Sequence, residues 1–132
     1  MYLYFRFVLQ IALMANLPKC LSPDSTIPTN VRFLFHLGGV IKEVKAHKMI
    51  LALVSDVFTT EFFGSMKEDK DDIDIKDASQ EVFQAMIDFI YNKQVDLGEY
   101  DLPFTSQLYN LAEKYNIKDL RNEIISYFHA QT

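Results

Sequence analysis

Between Ala46 and Phe63 the sequence holds neither glycine nor proline, and within that run Ile50 to Val54 is apolar without interruption. A helix that is apolar around its whole circumference has no face to turn to water, so residues 47 to 54 are expected as an enclosed helix. Ser55 then offers a hydroxyl that can accept an orphan amide as N-cap of a second helix, Asp56 to Phe63, which Gly64 ends. Such a run builds a packed protein module rather than an open active site. Beyond it, Met66-Lys67-Glu68 is left as a docking motif at the surface.

A chain of 132 residues, 49% apolar and 14% aromatic, encloses one core and not two. Eleven Phe, seven Tyr and a charged fraction of 23% exclude a disordered or low-complexity chain. The net charge of -5, with pI near 5.1, argues against a phosphate-backbone binder, so no nucleic-acid partner is expected. Cys20 is the only cysteine, which rules out an intrachain disulfide and fits a reducing compartment, cytoplasmic or nuclear.

Met1 to Ala15 is apolar apart from Arg6 and Gln10. The segment resembles a short secretory leader, but it falls short of the roughly 20 apolar residues that span a bilayer. It is read instead as a buried or partner-packing segment, or as a misassigned start, and no membrane association is expected. Pro18, Pro23 and Pro28 make Leu17 to Asn30 a linker, because each lacks a donor and restricts its predecessor. Residues 1–29 are therefore set apart from a folded domain at 30–132.

Val31, Phe33, Phe35 and Leu37 recur with period two and predict a strand. Gly38-Gly39 is a two-residue hairpin turn, and Val40 to Ala46 the returning strand. Ile73 and Ile75 between Asp72, Asp74 and Lys76 suggest a third short strand, and Asp69, Asp71, Asp72 and Asp74 a solvated acidic run. Val82, Phe83, Met86, Ile87, Ile90 and Tyr91 step by three and four, predicting a helix from Ser79 to Tyr91. Val95 and Leu97 suggest a strand fragment. Leu108, Leu111, Ala112 and Tyr115 mark one further helix, and Ile117, Leu120, Ile124, Tyr127 and Phe128 another, separated at Asn116. The expected class is α+β, a helical cluster capped by a small three-stranded sheet.

No phosphate-binding glycine loop, Gly-x-Ser-x-Gly elbow or His-Glu-x-x-His pair occurs. His47 lies far in sequence from His36 and His129, and no paired metal-ligand spacing exists, so His47 is read as structural. No enzyme, cofactor, metal or small-molecule substrate is expected.

In order along residues 30 to 129, Val31-Arg32-Phe33-Leu34-Phe35, Gly38-Gly39, Ala46-His47-Lys48, Val57-Phe58, Ile73-Asp74-Ile75, Phe83, Phe89-Ile90-Tyr91 and Leu111-Ala112-Glu113-Lys114-Tyr115 with Leu120 resemble the landmarks of a BTB/POZ domain. The nearest flavour is that of the speckle-type POZ protein. The resemblance implies a homodimerising interaction module, and in many members an adaptor that binds a cullin scaffold for ubiquitin-ligase assembly. The alternative it leaves open is a dimerisation module of a transcriptional or cytoskeletal protein without a cullin.

Cullin-binding members carry a hydrophobic residue, any residue, then glutamate in the loop after the second helix, and Met66-Lys67-Glu68 fits. A thioether fills an uneven apolar cavity, and an ionised glutamate accepts charge-assisted bonds. Phe63 and Tyr91 are candidate aromatic anchors beside this motif, with core packing the preferred reading of both. Many members place aspartate where this chain has Asn30, forming with a basic residue a charged pocket near the dimer seam; here Asn30, Lys48 and Met49 occupy that place. An amide does not neutralise Lys48. The family's dimer also uses a helix ahead of the first strand, which the proline-rich linker cannot supply; Met1 to Ala15 could serve the seam from further away. No substrate-binding domain, zinc finger or channel segment is recognised before Thr132, so either a fragment or a bare module is expected.

Overall fold

A computed structural model describes residues 27–64 and 70–131. The expectations for Met1 to Ala15, for most of the linker, and for Met66 and Glu68 lie outside the described residues.

The sheet begins with β1, Val31–Leu37, which turns through Gly38 and Gly39 into β2, Val40–Ala46. Both glycines take left-handed backbone angles, φ +53° and +90°, as a primed hairpin turn demands. The antiparallel register sets Leu37 opposite Val40 and Val31 opposite Ala46. The third strand, β3, Asp72–Asp74, joins the other side of β1 in parallel, giving the order β2-β1-β3.

Two helices, α1 (Lys48–Val54) and α2 (Asp56–Phe63), make the crossover from β2 to β3. Three more follow: α3, Gln80–Asn92; α4, Leu102–Lys114; and α5, Lys118–Gln131. The expected α+β class holds, as does the order of the three strands and five helices, the fragment at Val95 and Leu97 apart. Ser55 and Ser79 start α2 and α3 where the sequence puts them, each accepting the amide three residues on, and Asp101 does the same for α4. At the far ends Lys93 (φ 59°) and Asn116 (φ 53°) turn left-handed and stop α3 and α4.

The core is aromatic. Phe33 on β1 meets Phe83 on α3 at 4.6 Å between ring centroids and Phe58 on α2 at 6.0 Å. Phe58 stacks in turn on Tyr115 at 4.5 Å, bringing in the end of α4. Ser55, fully buried, donates to the Tyr115 carbonyl at 2.5 Å while it caps Phe58 at 3.1 Å. One hydroxyl thus satisfies two backbone groups that would otherwise be stranded.

Two expectations need correction. The helix α1 is not enclosed: Ile50 and Leu51 are buried, Ala52, Leu53 and Val54 only half-buried, and Met49 is 64% exposed. It packs on α2 and α3 from one side, and among the described residues nothing covers Met49 on the other. The stretch at Val95 and Leu97 is not a strand but leads into a 3₁₀ turn, Leu97–Glu99, closed by the Tyr100 amide on the Leu97 carbonyl at 3.2 Å. Two apolar residues at i and i+2 suit a strand or a tight turn equally, and among the described residues neither pairs with a strand of the sheet.

Truncating Phe58 to alanine removes the ring that joins sheet, α2 and α4. We expect a loss of about 3–5 kcal/mol in denaturant unfolding. Ser55→Ala should cost less, about 1–3 kcal/mol, from the stranded Tyr115 carbonyl and Phe58 amide. Equal stability of Phe58→Ala and the parent would contradict this packing.

Candidate functional site

The end of α2 decides what the docking candidates can do. Phe58 and Phe62 fall on its inner face and are buried, whereas Phe63, one residue further round, is 55% exposed. The preferred core reading of Phe63 is therefore corrected: it is a surface aromatic. Gly64 follows because a Cβ there would collide with the Thr60 carbonyl oxygen, whose acceptor takes the Gly64 amide at 2.9 Å. The chain then passes into the segment carrying Met66 and Glu68. An open groove of about 630 Å³ between α2 and β3 lies nearby, lined by Thr60, Phe62, Asp72 and Ile73 among others.

For Tyr91 the preferred core reading holds, and only its candidacy as a surface anchor falls. Its side chain is buried at 3% exposure, so it is no surface anchor, and core packing is its role. Its hydroxyl accepts the His47 amide proton at 2.9 Å and lies 2.7 Å from His47 Nδ1. His47 Nε2 lies 2.9 Å from the Ile27 carbonyl, which can only accept. That contact places the ring proton on Nε2 and leaves Nδ1 to accept from Tyr91. Both ring nitrogens are spent on fastening the β2–α1 corner, which is the structural part the sequence assigns to His47. Burial pushes the Tyr91 hydroxyl up to about 12. Tyr115, mainly through burial, is raised as well.

Asn30, Lys48 and Met49 are brought together at the start of α1. Asn30 Oδ1 accepts from the Lys48 amide at 2.8 Å, capping a helix whose own N-cap position, His47, gives no side-chain bond. Asn30 leaves the ammonium unneutralised, as its amide must, but Asp71 pairs with Lys48 Nζ at 3.0 Å. Lys48 also lies 5.7 Å from the centre of the Phe62 ring. Beside them Met49 points outward.

Asp71 belongs to a set that sequence reasoning missed. Asp72 takes a two-pronged bond from Arg32, Nε and Nη2 each at 2.8 Å, and Asp74 lies 3.1 Å from His36 Nε2. Asp71, Asp72 and Asp74 are exposed, as expected, but these three carboxylates are paired; Asp69 lies outside the described residues. The partners lie 23 to 40 residues away, and only the outward positions of Arg32 and His36 on β1 hinted at them. Among the described residues, no group of three or more His, Cys, Asp or Glu side chains is arranged to hold a metal ion. No described helix is long and apolar enough to cross a membrane.

A small sheet laid on a helical cluster, with apolar and charged side chains displayed at the α1 and α2 ends, defines a protein-interaction module. The family model of the BTB/POZ domain matches residues 33–132. BTB/POZ domain-containing protein 3 of Homo sapiens is 32% identical over 104 residues, as is BTB/POZ domain-containing protein 6 of Xenopus laevis. Each match takes in 79% of this chain and 19% of the relative, so the chain spans about a fifth of the length of these relatives. The BTB domain of zebrafish PATZ1 superposes with a TM-score of 0.63 over 92% of this chain and 89% of that one, at 16% identity, which speaks to fold alone. The chain belongs to the BTB/POZ domain family.

The buried tyrosines carry a pH dependence. A phenol whose folded-state pKa is raised stabilises the fold fully below its unfolded value, near 10, and that contribution is lost as pH rises through the folded value. For Tyr91 the window runs from 10.0 to about 12. Melting temperature should hold below this window and fall across it. Tyr91→Phe should flatten part of the fall while lowering the melting temperature near neutrality, because the His47 amide and Nδ1 lose their partner. A flat profile through the window would contradict the assignment.

Proposed function

We propose that this BTB/POZ domain is a homodimerising adaptor module that docks a cullin scaffold for ubiquitin-ligase assembly, through Met66 and Glu68 with Phe63 beside them. The observation that carries the reading is the exposure of Phe63 at the last turn of α2, directly ahead of the hydrophobic-x-glutamate pattern. An exposed aromatic next to a flexible apolar side chain and a carboxylate supplies an anchor, a gap-filler and an acceptor. Tyr91 is left out of this surface because it is buried.

The second reading, a POZ dimerisation module without cullin, is favoured by a different observation. Met49, 64% exposed, and the half-buried Leu53 give α1 an apolar side that the described residues cover only in part. A second copy laid there would remove it from water. This seam would include Asn30, Lys48 and Met49, with Met1 to Ala15 as a further contributor. Both readings share the dimer and differ only in the cullin.

Calorimetric titration with a cullin N-terminal fragment separates them. Binding is expected for the parent, and Met66→Ala combined with Glu68→Lys should weaken it by about tenfold or more while far-UV circular dichroism stays unchanged. No heat from the parent rejects the cullin. For the dimer, light scattering should give twice the protomer mass for the full chain and a shift toward monomer after deletion of residues 1–26. An unchanged mass removes the N-terminal segment from the seam.

A further inference from the structure

Only a short three-residue ladder holds β3 at the edge of the sheet, and its Asp72 and Asp74 are exposed. Apolar support comes from Ile73, half-buried, and from Ile75 just beyond, 8% exposed. Three carboxylates within four residues repel one another, and like charges so placed oppose a strand. They are held from two other elements: the Lys48 ammonium at the start of α1 pairs with Asp71, the Arg32 guanidinium of β1 pairs with Asp72, and His36 Nε2 of β1 lies 3.1 Å from Asp74. Arg32 is also shared with Glu43 of β2 at 3.4 Å, which ties the clasp across the whole sheet. The Arg32 guanidinium is raised above its usual range, first by its bond to Asp72. The hairpin, by contrast, has a seven-residue antiparallel ladder and two buried phenylalanines of β1 beneath it.

We propose that β3 is an ion-clasped strand, able to leave β1 locally, with its attachment set by the charge pairing of Arg32 and Lys48 with Asp72 and Asp71. Screening the charges, or a partner that competes for them, loosens β3 while β1 and β2 stay paired. The residues between α2 and β3 carry the Met66-Lys67-Glu68 pattern, so clasping β3 fixes one of the two ends of that segment. This last consequence rests on the docking reading; the clasp itself does not.

Amide hydrogen exchange of the full chain tests it, because exchange of a bonded amide reports the free energy of its local opening. The Ile75 amide, which bonds the Leu34 carbonyl at 2.9 Å, is the reporter. In Arg32→Gln it should exchange about threefold faster or more, a size set by what exposed ion pairs contribute. Amides of the β1–β2 ladder should be unchanged. Raising salt to about 1 M, where the Debye length falls to about 3 Å, should do the same to the parent and little to the variant. Should Arg32→Gln not fold, Asp72→Asn is read in its place, and exchanging the charges with Arg32→Asp and Asp72→Arg together should restore slow exchange. Ile75 exchange indifferent to salt and to both variants, or moving in step with the hairpin, overturns the proposal. A clasp that responds as expected in a chain that binds no cullin fragment would leave the clasp standing and remove the docking reading.

Discussion

Phe58 sits between Phe33 of the sheet and Tyr115 at the end of α4, and the rest of the domain is arranged around that sandwich of rings. Aromatic side chains bury large areas with few torsions to freeze, so joining three elements through one ring is an economical way to close a small core. The buried Ser55 reinforces the same junction from the polar side, by giving the start of α2 and the end of α4 a common oxygen. Because packed interiors tolerate little change in volume, this junction also fixes the direction in which α2 leaves the core. Phe63 faces outward as a result, since Phe58 and Phe62 already take the inner side.

Local rules were readable and enclosure was not. Caps, glycine turns and apolar spacing located the first three helices and the hairpin to within a residue or two, because Ser55, Ser79, Gly38 and Gly39 act on neighbours a few positions away, whereas α4 begins at Leu102, six residues ahead of the first apolar marker of its stripe. The apolar run in α1 misled for the opposite reason: whether Met49 and Leu53 are covered depends on what the remainder of the chain can reach. Phe63 and Tyr91 show the same thing from both sides. Each ends or nearly ends an apolar stripe, and one emerges at the surface while the other closes a hydrogen-bond chain in the interior. Pairings such as Arg32 with Asp72 were invisible, because nothing in either local sequence names a partner across forty positions.

The departure at Asn30 has a physical resolution. An amide in place of a carboxylate cannot balance a lysine, yet it makes an equally good acceptor for a backbone proton, and that is the use made of it at the Lys48 amide. The charge is balanced instead from β3 through Asp71. Electrostatic and capping duties at the start of α1 are thereby divided between two residues from different parts of the chain. The cost falls on one side of the pair, because Asp71 stays largely in water while the Lys48 side chain is mostly covered.

The bond from His47 to the Ile27 carbonyl has a geometric consequence. It holds Ile27 at the same corner at which Met49 is displayed, so the described polypeptide enters the fold beside α1, at the far end of β2 from the hairpin turn.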